Sequence, residues 1–230
     1  MIEFKDVRFA YPKSGFSLEI DQLSVLDGQQ VCWVGPSGCG KTTLLHLAAG
    51  IYTANEGTVR TCDVELTELG DAGRRDFRIA NLGLVFQDFA LLDYLSVLDN
   101  ILLPYRISRA LRLDNEVRKR SIKVATEVGI DALLGRTTSE LSQGERQRVA
   151  ICRAIVTRPK ILLADEPTAN LDSDTAARVL CALQSYAEKH GSALVIVSHD
   201  HDTISRFDVK TDVSIFRTQT CFDAAGGLDG

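Results

Sequence analysis

The chain lacks the marks of several protein classes, and each absence narrows what its 230 residues can do. It has no block of like charge, and 26 basic against 31 acidic residues leave a net charge of −5. The basic face of a general nucleic-acid binder is therefore missing, and no nucleic acid is expected as a partner. Six cysteines, at positions 32, 39, 62, 152, 181 and 221, form no CxxC pair, and no histidine cluster has metal-ligand spacing. That argues against a zinc site and a disulfide scaffold, and for reduced thiols. No apolar run approaches the roughly 20 residues of a membrane span. The opening "MIEFKDVRFAY" alternates like a strand and lacks the charged-then-apolar layout of a leader. Any membrane role has to come through a partner. There is no internal repeat, and the glycine-bearing stretch 224–230 is expected to fray.

What is present reads as alternating strands and helices. Runs at 2–9, 16–23, 31–34, 57–60, 82–86, 161–164, 193–197 and 213–217 have β character. Those at 31, 82, 161 and 193 are continuously apolar, as strands covered on both faces of a parallel sheet are. Helical patterns follow over 41–50 and 173–190, so an α/β core is expected. From 88 to 156 the patterning is helical only. One helix spans 97–110, bent or interrupted at Pro104. A second spans 114–128, with Val117, Val124, Ala125 and Val128 on one face and Gly129 as its stop. A third begins at Ser142.

The segment "VCWVGPSGCGKTTLLHLAAG" contains G-x-x-x-x-G-K-T, between an apolar strand and an amphipathic helix. Over Gly35, Pro36, Ser37, Gly38, Cys39, Gly40, Lys41, Thr42 and Thr43, backbone N–H groups can wrap nucleotide phosphates at a helix N-terminus. Lys41 reaches the β- and γ-phosphates, and the Thr42 hydroxyl ligates Mg²⁺. The glycines at 35, 38 and 40 do not make G-x-G-x-x-G, so a dinucleotide fold is set aside. In "ILLADE", Asp165 is placed to hold Mg²⁺ and Glu166 to orient and deprotonate the attacking water. Gln87 in "GLVFQD" and His199 in "VIVSHD" follow two further apolar strands. Ligands bind at the carboxyl ends of parallel strands, so both belong beside the γ-phosphate.

"GPSGCGKTT", "FQD", "LSQGERQRVAICRA", "ILLADEPTANLD" and "VSHD" stand in the order and spacing of the ATP-binding-cassette (ABC) ATPases, and the chain resembles that family along essentially its whole length. Within it, "FQDFALLDYLSVLDNI" and "LSQGERQRVAI" are most similar to the stand-alone subunits of lipoprotein-release and macrolide-export systems. The resemblance implies a P-loop NTPase core of the α/β class: a parallel-rich sheet with flanking helices, an N-terminal antiparallel β part and an inserted α-helical subdomain. The expected organisation is core over 1–87, helical subdomain with the signature over 88–157, and core again over 158–230. ATP and Mg²⁺ are the implied cofactors. Tyr11 in "FAYP" would stack on adenine, with Phe9 as the fallback. Gln87 would sense Mg²⁺ and the attacking water and act as the hinge into the helical insertion. His199 would hold the γ-phosphate and the Glu166 geometry. Residues 170–172 would contact a second nucleotide-binding subunit.

Ser142 and Glu145 match the capping box S-x-x-E, so "SELSQGERQRVAIC" is first a capped helix start. The resemblance adds that Ser142, Gln143, Gly144 and Glu145 face the γ-phosphate of ATP held by a second copy. Two half-sites would then complete each other in a head-to-tail pair. The family's usual LSGGQ is LSQGE here, and an acid beside phosphates costs Coulomb energy unless Glu145 turns into its capping bond. Cys39 stands where serine is common and reads first as a small tolerated residue; the alternative is a thiol acidified by helix-terminal N–H groups and open to redox inhibition. The leading functional expectation is an ATPase subunit, cytoplasmic and peripheral on the membrane face through integral permease subunits, that docks them on an apolar groove near 89–105. The short stretch after His199 leaves no room for an added regulatory domain, which leans toward export or extraction. The alternative is a soluble ABC ATPase serving as an assembly scaffold, of the iron–sulfur-assembly type.

Overall fold

The computed structural model describes residues 1–12, 15–108, 110–169 and 171–219, of which 218 and 219 are described by backbone only. Asn170, Cys221 and the stretch 224–230 thus lie outside the described residues. The chain opens with β1 (Ile2–Ala10) and β2 (Phe16–Val25), paired antiparallel from Ile2↔Val25 to Ala10↔Ser17. Then come β3 (Gln30–Val34), the phosphate-loop segment and α1 (Lys41–Ala48). Gly50, at φ 62, lies just past the helix end, where a left-handed residue closes the last turn. A short hairpin, β4 (Glu56–Thr61) and β5 (Val64–Glu65), leads to α2 (Asp71–Asn81) and β6 (Leu82–Val85).

Between β6 and the next strand lie three helices: α3 (Val97–Ile107), α4 (Asn115–Glu127) and α5 (Gln143–Ile155). α3 continues through Pro104, and Ser96 caps it by accepting from Asp99 N at 3.1 Å. α4 is capped by Asp114. Beyond α5 come β7 (Ile161–Asp165), α6 (Ser173–His190), β8 (Ala193–Val197), α7 (His201–Ser205), β9 (Val209–Asp212) and β10 (Arg217–Gln219).

Two sheets result, an antiparallel one ordered β10-β2-β1-β4-β5 and a parallel one ordered β6-β7-β8-β3-β9. The parallel strands alternate between two cores. Val31, Trp33, Ile161, Leu163, Val195 and Val197 face α1 and the antiparallel sheet. Cys32, Leu162, Ala164, Leu194 and Ile196 face α3, α5 and α6. Period-2 side chains with both faces apolar require cover on both sides, and the antiparallel sheet supplies one cover.

One sequence expectation is corrected. Residues 213–217 are not a strand: Val213–Phe216 is a 3-10 turn, with β9 before it and β10 after it. Asp212 starts the turn by accepting from Ser214 N at 2.9 Å, a local bond that competes with a ladder. α2, α7, β5 and β9 had no counterpart in the pattern. α2 is charged, buries only Phe77 and carries Gly73 in its interior, which weakens its helical signature.

Candidate nucleotide site

The carboxyl ends of β3, β6, β7 and β8 converge on one cavity of about 340 Å³. It is lined by Tyr11, Phe16 and residues of the loop after β3, with Gln87, Glu166 and His199 opposite. In that loop Gly35, Gly38 and Gly40 have φ of 149, 75 and 109, left-handed backbone that turns N–H groups inward without a Cβ. At Gly40 a Cβ would come within 2.7 Å of the Phe16 ring and 2.8 Å of Leu18. The Lys41 ammonium is almost buried and donates to the carbonyls of Gly35 at 2.8 Å and Pro36 at 3.1 Å, so it bridges the loop at the mouth of α1. Ser37, Thr42 and Thr43 also face the cavity. Cys39 does not: its side chain is 1% exposed within the core, which removes the access that oxidation of its thiol needs.

Glu166 stands one residue beyond β7, at φ 45, a strained region for a non-glycine residue. Three contacts hold it there. Its N–H donates to Val197 O at 3.0 Å, the buried Ser198 hydroxyl donates to Oε2 at 3.3 Å, and His199 Nδ1 lies 2.6 Å from Oε1. The carboxylate is thus oriented from below while the exposed imidazole lies over it. Asp165, the last residue of β7, is buried, and its Oδ1 has no hydrogen-bond partner. Burial pushes its carboxyl pKa up, partly countered by the Thr42 hydroxyl. An orphaned buried carboxylate oxygen beside a hydroxyl is the donor set of a hard cation, so the residues present fit Mg²⁺.

Tyr11 donates to or accepts from Thr43 Oγ1 at 2.9 Å, tying it to the first turn of α1. Phe9, the sequence alternative, is buried and stacks on Tyr52 at 5.6 Å, away from the cavity lining. Phe16 lines the cavity instead, a residue not singled out in the sequence because an aromatic opening a strand reads as core. Ser198 was likewise missed, although its place just before His199 is the signal that would have found it.

The signature stretch is arranged otherwise. Ser142 caps α5: its N–H and hydroxyl donate to Glu145 Oε2 at 2.8 and 2.7 Å, and Glu145 N donates back to Ser142 Oγ at 3.4 Å. These bonds, the side-chain one first, hold the Glu145 carboxyl below its usual range. Gly144 packs on α6, where a Cβ would stand 3.0 Å from Thr175 Cγ2. Ser142, Gly144 and Glu145 do not line the nucleotide cavity of their own chain, whereas Gln143 borders a wider groove shared with Thr42, Gln87 and Asp165. Of residues 170–172, Asp172 caps α6 by accepting from Thr175 N at 2.9 Å.

An apolar strand feeding a glycine loop and helix, with acids at the end of a strand one removed in the same sheet, defines a P-loop nucleoside triphosphatase. The chain belongs to the ABC transporter family, whose model matches residues 18–169. It is 39% identical over 203 residues to the lipoprotein-releasing system ATP-binding protein LolD of Chromohalobacter salexigens, covering 86% of this chain and 85% of that one. It is 37% identical over 186 residues to the macrolide export ATP-binding/permease protein MacB of Rhodopirellula baltica, matching 81% of this chain and 27% of that larger protein. Among solved structures, the dimeric post-hydrolysis state of the ATP-binding cassette MJ0796 bound to ADP and Pi is similar, with a TM-score of 0.84 and 29% identity over 93% of this chain and 95% of that chain. The protein is an ATP-binding ABC ATPase. Among the described residues no helix is long and apolar enough to cross a membrane.

Proposed function

We propose that the chain is the ATP-hydrolysing subunit of a transporter, or of a complex that extracts lipids or lipoproteins from the envelope, bound to the cytoplasmic face of a membrane through integral permease subunits. The observation that carries this reading is the Glu166–His199 pair at the phosphate loop, with the capped Ser142 helix start outside the same cavity. One chain then supplies two half-sites. Backbone N–H groups of 35–43 and the Lys41 ammonium hold the phosphates of one ATP. Ser142, Gln143 and Gly144 close on the ATP of a second copy, while Glu145 stays folded into its capping bonds. Tyr11 and Phe16 flank the adenine.

Thr42, Asp165 and Gln87 would hold Mg²⁺, which supplies charge neutralisation on the β- and γ-phosphates. Glu166 takes a proton from a water whose oxygen forms a bond to the γ-phosphorus as the bond to the bridging oxygen breaks. His199 holds Glu166 in line and donates toward the γ-phosphate. The working divisions are 1–87 and 158–230 for the nucleotide core and 88–157 for the helical part that carries Ser142.

Motion leaves the site through Phe86 and Gln87. A groove of about 240 Å³ is lined by Leu84, Phe86, Ala90, Pro104, Ile107 and Arg153, and Ile107 is 62% exposed beside it. Arg153, from α5, donates to Phe89 O at 2.6 Å and also to Ala90 O, so the groove, the Gln87 segment and the signature helix move together. This surface suits an apolar helix end of a permease subunit. Purification from detergent extract tests the reading: an integral membrane protein should accompany the chain in a fixed ratio and be lost in Ile107→Glu. Soluble partners alone would favour the assembly-scaffold function.

A further inference from the structure

The carboxylate of Glu166 is oriented by Ser198 and His199, but its backbone, at φ 45, persists only where the surroundings over-determine it. The turn that follows, 166–169, closes on itself through Ala169 N, which donates to Glu166 O at 3.1 Å. Two further contacts grip it from outside. From α5, the Gln147 amide donates through Nε2 to Pro167 O at 2.7 Å. From α7, the helix that follows His199, the Thr203 hydroxyl pairs with that of Thr168 at 3.0 Å. Gln147, Pro167, Thr168 and Thr203 are all buried, so water competes for neither bond.

Gln147 is a costly residue for its place. It is 1% exposed on α5, and the residues one turn further along that face, Ala150 and Ile151, are wholly buried. An unbranched apolar side chain would fill the same space with nothing left unpaired. The glutamine instead keeps Oε1 without a hydrogen-bond partner among the described residues, and a buried acceptor so left lowers stability. The half of the amide that is paired is the half that reaches the turn after Glu166. Its support is fixed independently, because Arg153, further along α5, is tied to Phe89 O at 2.6 Å.

We propose that Gln147, with Thr168 opposite it, is a positioning residue for hydrolysis: the two clamp the turn after Glu166 between α5 and α7, so that the carboxylate stays aimed at the nucleotide. The inference rests on Glu166 as the base, as proposed above. Gln147 gives up stability at Oε1 and gains alignment at Pro167.

Steady-state ATPase assays on the purified full chain, with titration by a fluorescent ATP analogue, test this. Gln147→Met keeps the length and apolar fit of the side chain and removes the donor. Its kcat should fall roughly ten- to hundredfold, as when a reacting group is misplaced by about an ångström, while KM and the affinity for the analogue stay within about twofold. Its melting temperature should not drop, which separates alignment from stability. Thr168→Val should show the same split with a smaller loss. In a Glu166→Gln background neither change should lower the residual rate further, because the group they align is gone. Should Gln147→Met fail to fold, Thr168→Val decides by the same readings. A loss of ATP affinity that matches the loss of kcat overturns the proposal, as does an undiminished further loss in the Glu166→Gln background. Parental turnover in Glu166→Gln overturns the base assignment and this inference together. An inactive Glu166→Gln beside fully active Gln147→Met and Thr168→Val overturns this inference alone.

Discussion

His199 Nδ1 lies 2.6 Å from Glu166 Oε1, a contact that joins the ends of the parallel neighbours β8 and β7. A carboxylate held at positive φ by Val197 and Ser198 has one productive direction, and the imidazole sits on it. Glu166→Gln keeps the shape and removes the base, so turnover should fall by about 10²- to 10⁴-fold. ATP binding should persist, and gel filtration with ATP should show a stable dimer; a monomer that still hydrolyses ATP contradicts the assignment. Ser198→Ala, which frees the second oxygen and removes the acceptor of Asp200 N but leaves the His199 contact, should cost less than Glu166→Gln and leave ATP affinity unchanged.

Asp165 yields a pH prediction. Burial raises its carboxyl pKa, with Thr42 opposing. When the folded value lies above the unfolded one, the stabilisation is complete below the unfolded value and is lost as pH rises through the folded value. Asp165→Asn never ionises. In chelator, its melting temperature should match the parent's in acid and exceed it increasingly toward neutral pH. With Mg²⁺ and ATP the order should reverse, because the parent alone gains ligand stabilisation, about 2.7 kcal/mol at a ligand concentration a hundred times Kd. Equal melting curves at neutral pH in chelator would count against the buried, uncompensated carboxylate.

Tyr11 should contribute by its ring more than by its hydroxyl. Aromatic stacking is worth about 0.5–1.5 kcal/mol, so Tyr11→Ala should raise the KM for ATP by roughly 2- to 13-fold with kcat little changed. Tyr11→Phe keeps the ring and loses the hydroxyl with its bond to Thr43. An effect of Phe as large as that of Ala would show that the hydroxyl's bond to α1, not the stacking, is what matters.

Gly40 stands where no other residue fits. Gly40→Ala meets both φ 109 and a Phe16 ring carbon 2.7 Å from the new methyl, so the loop must shift. ATP affinity should fall at least tenfold by fluorescent-nucleotide titration. Gly135→Ala, with nothing within 4 Å, is the control and should bind as the parent does.

Complementation addresses the second half-site. Lys41→Ala disables the phosphate loop, and Ser142→Arg blocks the signature; each pure protein should be inactive. Mixed, the hetero-pairs keep one intact site of two, so ATPase activity should reappear. No recovery would leave Ser142 as a helix cap only, worth about 1 kcal/mol to α5.

Much of this protein is determined by the order of its residues alone. The apolar runs at 31, 82, 161 and 193 could be nothing but covered strands, because every second side chain on each would otherwise face water. The G-x-x-x-x-G-K-T loop, the acids after "ILLA" and the capping box of Ser142 and Glu145 are local chemistry, so spacing alone reveals them. Strand 213–217 was misplaced because Asp212 closes a turn there that hydrophobicity cannot signal, and α2 was missed because few of its side chains are buried. Tertiary structure alone decided that Phe16 reaches the nucleotide cavity, that Cys39 is sealed in the core, and that Asp165 keeps an oxygen unpartnered. It also set the 2.6 Å contact of His199 with Glu166, which the sequence offered only through a family resemblance. Each of these depends on which strands lie side by side, and β3, β7 and β8 are brought together by burial of their shared faces rather than by anything near them in the chain.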